Sequence, residues 1–154
     1  MSVNLSSAST SPNSKFSKIL VAIDGSNESM EAARYSISLS QEYDAELYAL
    51  HVLRSDVDLF GPHDTSEYTI RMRNEAEKYL DKVRLAAHEK NMQIKSEIIS
   101  STNIAEAIVD YAEEKNFKLI VIGTRGKSGF KKLLLGSVAS SVVTYAHCPV
   151  LVVK

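Results

Sequence analysis

The sequence is poor in cysteine, with Cys148 alone among 154 residues. A single cysteine cannot form a disulfide within the chain, which excludes the small disulfide-stabilised folds of secreted proteins. No apolar run approaches the roughly 18 residues that a membrane-spanning helix requires. These two absences favour a reducing, cytoplasmic setting and argue against a membrane partner.

Neither sign of charge is in excess, since 18 Lys and Arg stand against 19 Asp and Glu. A nearly neutral chain has no overall field to attract duplex nucleic acid or an anionic membrane. We therefore expect neither partner, and any anion site must be built locally. The 44% apolar content is enough, at this length, for one domain with a substantial core.

The first residues contain almost nothing apolar, because Met1–Ser14 holds six serines, two asparagines and a proline. This composition is typical of a disordered segment and lacks the apolar stretch of a secretory signal. We expect a disordered Ser/Asn-rich tail over residues 1–15 and a single domain over residues 16–154.

From Lys18 onward, short β-branched runs alternate with longer segments of helical period, which predicts a parallel sheet covered by helices on both faces. The predicted strands are Ile19–Ile23, Glu46–Leu53, Gln93–Ile99, Leu119–Ile122 and Pro149–Val153. The predicted helices follow Asp24-Gly25-Ser26, run from about Glu67 to Asn91 and from Asn103 to about Asn116, and begin at Ser137 with Val138, Val142 and Tyr145 inward. Strict alternation of this kind defines a doubly wound α/β sheet.

Ligands of doubly wound sheets bind beyond the carboxyl ends of the strands, where the strand order reverses. Only the first and fourth predicted strands are followed by turns rich in glycine and polar residues. If these strands are neighbours, Asp24 and Gly123 meet across one crevice. The longest internal loop, residues 54–66, is polar with a Gly-Pro break and is a candidate lid.

The segment "GTRGKSGF" at 123–130 suggests a P-loop at first sight. A P-loop places a glycine five residues before its Gly-Lys-Ser, which here is position 121, and that residue is Val. Spacing therefore excludes the P-loop.

A longer pattern includes the same glycines: Gly123, two spacers, Gly126, nine spacers, then Gly136 and Ser137. Glycines let phosphate oxygens approach backbone N–H groups, and the predicted helix at Ser137 offers free N–H groups and a positive dipole end. The cations Arg125, Lys127, Lys131 and Lys132 raise the local potential. The pattern favours a phosphate site over the alternative, in which the glycines are turn residues and the cations a solvated rim.

This spaced pattern resembles that of the nucleotide-binding branch of the universal stress protein (UspA-like) family. "ILVAIDGS" at 19–26, "HV" at 51–52, "LIVIGTRG" at 119–126, "LLLGSVA" at 133–139 and "CPVLVV" at 148–153 are similar to that family's strand and turn signatures, in order. The resemblance implies a sheet of order 3-2-1-4-5, of the adenine nucleotide alpha-hydrolase-like type. It also implies ATP or another adenine nucleotide, with or without Mg, between strands one and four.

By position, the resemblance implies that Asp24 and the backbone near Ala22 contact the adenosine half, with Val52 and Ile122 flanking the base. Ribose and phosphates would be lined by Gly123, Arg125, Gly126, Gly136, Ser137 and Val138. The chain departs from some family members at Ala22, where they have proline. This difference should change packing beside the adenine more than phosphate binding.

Other reactive residue types carry no recognisable pattern. His51, His63, Asp56, Asp58 and Asp64 match no metal-ligand spacing, so we predict no metal site. Cys148 precedes a proline at the start of an apolar strand, which is typical of a buried small hydrophobe and not of a nucleophile.

The fifth strand bears on assembly. In the implied order Pro149–Val153 is an edge, apolar on both faces and without the charges that usually protect edges. We expect it to pair with its copy in a two-fold homodimer, as family members commonly do.

We therefore expect an ATP-binding stress protein that acts as a switch or sensor in the stress response. No Walker-B acid or general base is evident, so efficient hydrolysis is not expected, while slow hydrolysis or autophosphorylation at Ser128 or Ser137 stays open. One alternative is a dimeric interaction module without nucleotide. Another is a nucleotidyl-transferring enzyme, for which the usual "SGGxDS" loop after strand one is missing.

Overall fold

The computed structural model describes residues 15–55, 67–125 and 135–154. All but the last residue of the predicted N-terminal tail, nearly all of the candidate lid and the middle of the glycine segment lie outside them. The described strands are β1 Lys18–Ala22, β2 Glu46–Arg54, β3 Lys95–Ser101, β4 Leu119–Gly123 and β5 Val150–Val153. The described helices are α1 Asn27–Tyr43, α2 Glu67–Glu89, α3 Ile104–Glu114 and α4 Ser137–Tyr145. None of these four helices is long and apolar enough to cross a membrane.

The five strands form one parallel sheet in the order β3-β2-β1-β4-β5. This order confirms the predicted doubly wound α/β sheet. The chain builds β1, β2 and β3 outward to one side and then returns to place β4 and β5 on the other side of β1. The strand order therefore reverses between β1 and β4, which is where such sheets open a crevice at their carboxyl ends.

Two hydrophobic clusters cover the two faces of the sheet. Ile19 and Val21 of β1 point into the cluster beneath α1 and α2, whereas Leu20 between them points into the cluster beneath α3 and α4. This alternation follows from the two-residue period of a strand. Every residue of β4 is buried, as expected for a central strand covered on both faces.

Local capping sets the beginnings and ends of several helices. The Ser26 hydroxyl accepts from the Ser29 amide at 3.1 Å and begins α1, which ends where Asp44 adopts a left-handed conformation. The Asn103 side chain accepts from the Glu106 amide at 3.2 Å, which confirms the predicted cap at the start of α3. These side chains satisfy amides that have no acceptor within the helix.

Two predicted details are wrong. The third strand begins at Lys95, two residues later than predicted, because the chain after α2 turns back through Asn91 and the Met92 amide donates to the Ala87 carbonyl. Tyr145 was expected to face inward but is 73% exposed. It is the last residue of α4, which lies at the edge of the sheet beside β5.

The packing of α2 can be checked with two leucines on opposite faces of that helix. Leu80 is fully buried and Leu85 is 60% exposed. We expect Leu80→Ala to lower the free energy of unfolding by about 2–5 kcal/mol, because it leaves a cavity. Leu85→Ala should change it by less than about 0.5 kcal/mol. Urea unfolding followed by circular dichroism measures both, and equal losses would contradict this orientation of α2.

Candidate functional site

A cavity of about 500 Å³ lies at the carboxyl ends of β1, β2 and β4, where the strand order reverses. Its size is within the range of small-ligand sites. Every predicted site residue that the structure describes lines this cavity: Ala22, Asp24, Val52, Ile122, Gly123, Arg125, Gly136, Ser137 and Val138. Gly126 lies outside the described residues, so its predicted role stays a prediction.

The sequence did not reveal several residues that line the same cavity. They are Ile23, Ser26, Ser29, Leu50, His51, Leu53, Arg54, Met72, Ile104, Ile108, Thr124 and Ala139. Ile104 and Ile108 lie on α3, and only the packing of α3 beside β2 brings them there. His51 belongs to the "HV" pair, so the sequence carries a signal for this residue.

The turn after β1 holds Asp24 at the cavity. Its Oδ1 accepts from the Ser26 amide at 2.9 Å and from the Ser26 hydroxyl at 2.5 Å. Among the described residues, no hydrogen bond involves Oδ2, which leaves that oxygen for a ligand. The same turn needs glycine at 25, because φ is +85° and a Cβ would lie 2.5 Å from the Tyr79 ring.

Gly123 allows a close approach of α1 to the end of β4. A Cβ at this position would lie 2.9 Å from the backbone carbonyl carbon of Glu28 in the first turn of α1. The glycine therefore brings the start of α1, with Ser26 and Ser29, to the rim of the cavity. This packing explains the glycine without a ligand, and its predicted ligand contact stays a prediction.

Backbone hydrogen bonds of Thr124, a buried residue, hold the end of the glycine segment in place. The Gly136 amide donates to the Thr124 carbonyl at 2.6 Å, and the Thr124 amide donates to the Val153 carbonyl at 2.8 Å. The Gly136 amide is thus bonded within the chain, and the predicted ligand contact of Gly136 stays a prediction. The amides of Ser137 and Val138 follow in the first turn of α4, which has no side-chain cap. These amides can donate to an anion at the helix start.

Arg125 adds an unsatisfied donor to the same wall. Its Nε is buried and has no hydrogen-bond partner among the described residues. A buried polar atom is normally bonded, and a guanidinium bonds strongly to carboxylate or phosphate oxygens. The arrangement therefore fits an anionic group held jointly by Arg125 and the start of α4.

Part of the cavity lining is apolar, formed by Ala22, Leu50, Val52, Ile108 and Ile122. A cavity that combines apolar side chains with groups able to bind an anion suits a ligand with a flat, weakly polar part and a charged part.

Other predictions concerning reactive groups can be compared with the structure. Among the described residues, no group of three or more His, Cys, Asp or Glu side chains could hold a metal ion. His63, Asp56, Asp58 and Asp64 lie outside those residues. Cys148 is half-buried, and burial raises the pKa of its thiol, which disfavours the reactive thiolate.

The sheet order and the cavity at its reversal place the chain among the doubly wound α/β proteins. The chain matches the Universal stress protein family over residues 15–154. It is 41% identical over 141 residues to universal stress protein MJ0531 of Methanocaldococcus jannaschii, covering 90% of this chain and 82% of that protein. The chain belongs to the universal stress protein family.

Solved structures share its fold. The structure of hypothetical protein MJ0577 is 27% identical and has a TM-score of 0.79, covering 91% of this chain and 96% of that one. A universal stress protein from Archaeoglobus fulgidus in complex with dAMP is 24% identical, with a TM-score of 0.67 over 89% of this chain and 97% of that one. A universal stress protein in complex with cAMP is 21% identical, with a TM-score of 0.68 over 92% and 99%. At these identities, the last two show the fold alone.

The role of Asp24 in its turn can be tested with two substitutions. Asp24→Asn keeps an acceptor for the Ser26 amide and hydroxyl, whereas Asp24→Ala removes it. We expect Asp24→Ala to lower the free energy of unfolding by about 1–3 kcal/mol, since each lost hydrogen bond contributes roughly 0.5–1.5 kcal/mol. Asp24→Asn should lower it by less than about 1 kcal/mol, through the lost charge near the start of α1. Chemical denaturation measures the free energy of unfolding of both variants. Equal losses in the two variants would show that the turn does not depend on Oδ1.

Proposed function

We propose that the protein binds ATP, or another adenine nucleotide, in this cavity and acts in the cytoplasm as a nucleotide-dependent switch or sensor of the stress response. One observation carries the proposal: the unpartnered Arg125 Nε and the uncapped start of α4 face the same cavity as an apolar wall. Membership of the family supports it, as do the two neighbours whose structures contain dAMP and cAMP.

In this proposal the two ends of the cavity hold different parts of the nucleotide. The base lies between Val52 and Ile122, beside the backbone of Ala22, and the free Oδ2 of Asp24 accepts from the ribose. The phosphates, with or without Mg, bond to Arg125 and to amides at the start of α4. Gly123, Gly126 and Gly136 shape the backbone of that wall, while Ser137 and Val138 supply the amides.

The engaged state of Asp24 favours a binding role over efficient hydrolysis. Phosphoryl transfer to water needs a group that orients the attacking water molecule. The Oδ1 of Asp24 already accepts two hydrogen bonds from Ser26 within the turn after β1. A carboxylate held in this way suits recognition of a hydroxyl group.

Nucleotide binding is tested by calorimetry with ATP, AMP, cyclic AMP and adenosine. We expect saturable binding of ATP. Arg125→Ala should lower the affinity for ATP by about tenfold or more, since a hydrogen bond to a charged group contributes roughly 1.5–3 kcal/mol. Adenosine should bind both proteins equally, because it lacks phosphate. Arg34→Ala is the matched control, because it removes the same charge from an exposed position on α1. The absence of saturable binding by any adenine nucleotide would overturn the proposal.

We also propose that the protein is a two-fold homodimer joined through the fifth strand. Within the described residues β5 is an edge of the sheet, and its residues are all apolar. The carbonyls of Pro149 and Val153 accept from β4, so alternation along the strand directs the amides of Val150 and Val152 to the open edge. Val143 and Tyr145 of α4 are exposed beside this edge and would extend the contact.

The pairing depends on edge amides, so Val152→Pro should disrupt it without removing a bond to β4. We expect Val152→Pro to be monomeric at micromolar concentration with an unchanged circular dichroism spectrum. Val152→Thr, which keeps the amide and the branched side chain, should stay dimeric. Sedimentation equilibrium distinguishes the two states. A monomeric parent protein, or a dimeric Val152→Pro, would contradict pairing through this edge.

A further inference from the structure

Thr124 is a buried polar residue whose hydroxyl group has no partner within the described part of the chain. The residue directly follows β4 and is 7% exposed. Both of its backbone groups are bonded, the amide to the Val153 carbonyl and the carbonyl to the Gly136 amide. Because buried polar side chains are normally hydrogen-bonded, the hydroxyl calls for a partner that is not part of these segments.

The side chain of Thr124 lies on the side of the sheet where α4 begins. Val121 of β4 points into the cluster beneath α1 and α2, whereas Ile120 and Ile122 point into the cluster beneath α3 and α4. The two-residue period of the strand continues this second series to Thr124. Thr124 also lines the cavity, and its carbonyl holds Gly136 at the start of α4. Its hydroxyl is therefore directed toward the part of the cavity beside that helix.

Other hydroxyl groups show what a threonine or serine does when its role is internal. The Oγ1 of Thr144 donates to the Ser140 carbonyl one turn earlier in α4, at 2.9 Å. The Oγ of Ser40 is buried without a partner, but Ser40 does not line the cavity. Thr124 differs from both, since its hydroxyl is unbonded and the residue lies at the cavity.

The groups around this hydroxyl favour a negative charge. Arg125 is the next residue and lines the same cavity, and its Nε is buried without a partner among the described residues. The amides of Ser137 and Val138 begin α4, where the positive end of the helix dipole lies. A hydroxyl can donate to a phosphate oxygen, and a hydrogen bond to a charged acceptor is stronger than one to a neutral acceptor. Thr124 therefore adds a further donor to this set.

The order of residues along the chain separates the role of Thr124 from that of Arg125. Ile122, which is proposed to flank the base, lies near the end of β4, and Thr124 follows it on the same side of the sheet. We propose that the Thr124 hydroxyl binds the phosphate attached to the ribose, and that Arg125 holds the phosphates beyond it. This inference rests on the proposed nucleotide site and adds a residue that determines which phosphate lies nearest to the base subsite.

Calorimetry with adenosine, AMP and ATP tests this assignment. Thr124→Val replaces the hydroxyl by a methyl group of similar size, and we expect it to lower the affinities for AMP and for ATP by the same factor, about tenfold. The affinity for adenosine should not change, because adenosine has no phosphate. Thr124→Ser should bind all three ligands like the parent protein. Thr144→Val is the matched control, since it makes the same replacement at an exposed position, and it should leave all three affinities unchanged.

The pattern across the three ligands decides between the possible roles. A loss that includes adenosine would show a structural role, and a loss for ATP alone would place the hydroxyl at the outer phosphates; either result would overturn the inference. If Thr124→Val does not fold, Thr124→Ser and Thr124→Ala provide the comparison, because both lack the methyl group and differ in the hydroxyl. The serine variant should then bind AMP about tenfold more tightly than the alanine variant.

Failure of this inference can be told apart from failure of the proposed function. If the parent protein binds ATP and AMP but the serine and alanine variants have equal affinities for AMP, only the role of Thr124 is refuted. If the parent protein binds no adenine nucleotide, the proposed function fails and the inference fails with it.

Discussion

The hydrogen-bonded pairing of β1 with β4 is the constraint on which the site depends. The two strands lie side by side from Ile19 and Leu119 to Val21 and Val121, but the chain leaves them toward opposite faces of the sheet. After β1 it enters α1 on one face, and after β4 it goes on to α4 on the other. Their turns must therefore separate, and the space between them is the cavity. Each polar group of the site owes its position to one of these two diverging turns or to the neighbouring end of β2.

Two glycines of the spaced pattern have structural roles that need no phosphate. Gly123 is required by the close approach of Glu28, and the Gly136 amide bonds to the Thr124 carbonyl. These two positions shape the backbone at the end of β4 and just before α4. The amides of Ser137 and Val138 follow directly in the first turn of α4, which has no side-chain cap.

Periodicity predicted every strand and helix that the structure describes, because alternation in strands and the helical repeat follow directly from burial. The strand order came from the resemblance, and the placement of Asp24 opposite Gly123 followed from it. The start of β3 and the exposure of Tyr145 could not be predicted, since both depend on how a helix end meets the sheet edge. The contributions of Ile104 and Ile108 are likewise set by packing between segments distant in sequence, for which one chain without its fold gives no signal.

Thr124 has a structural consequence for the last helix and the last strand of the chain. It is 7% exposed, and its backbone bonds both to Gly136, just before the last helix, and to Val153, at the end of the last strand. Separating either partner would leave a buried amide or carbonyl unbonded, at a cost of about 1–3 kcal/mol. The start of the final helix and the end of the final strand are thus both held at the carboxyl end of the same central strand.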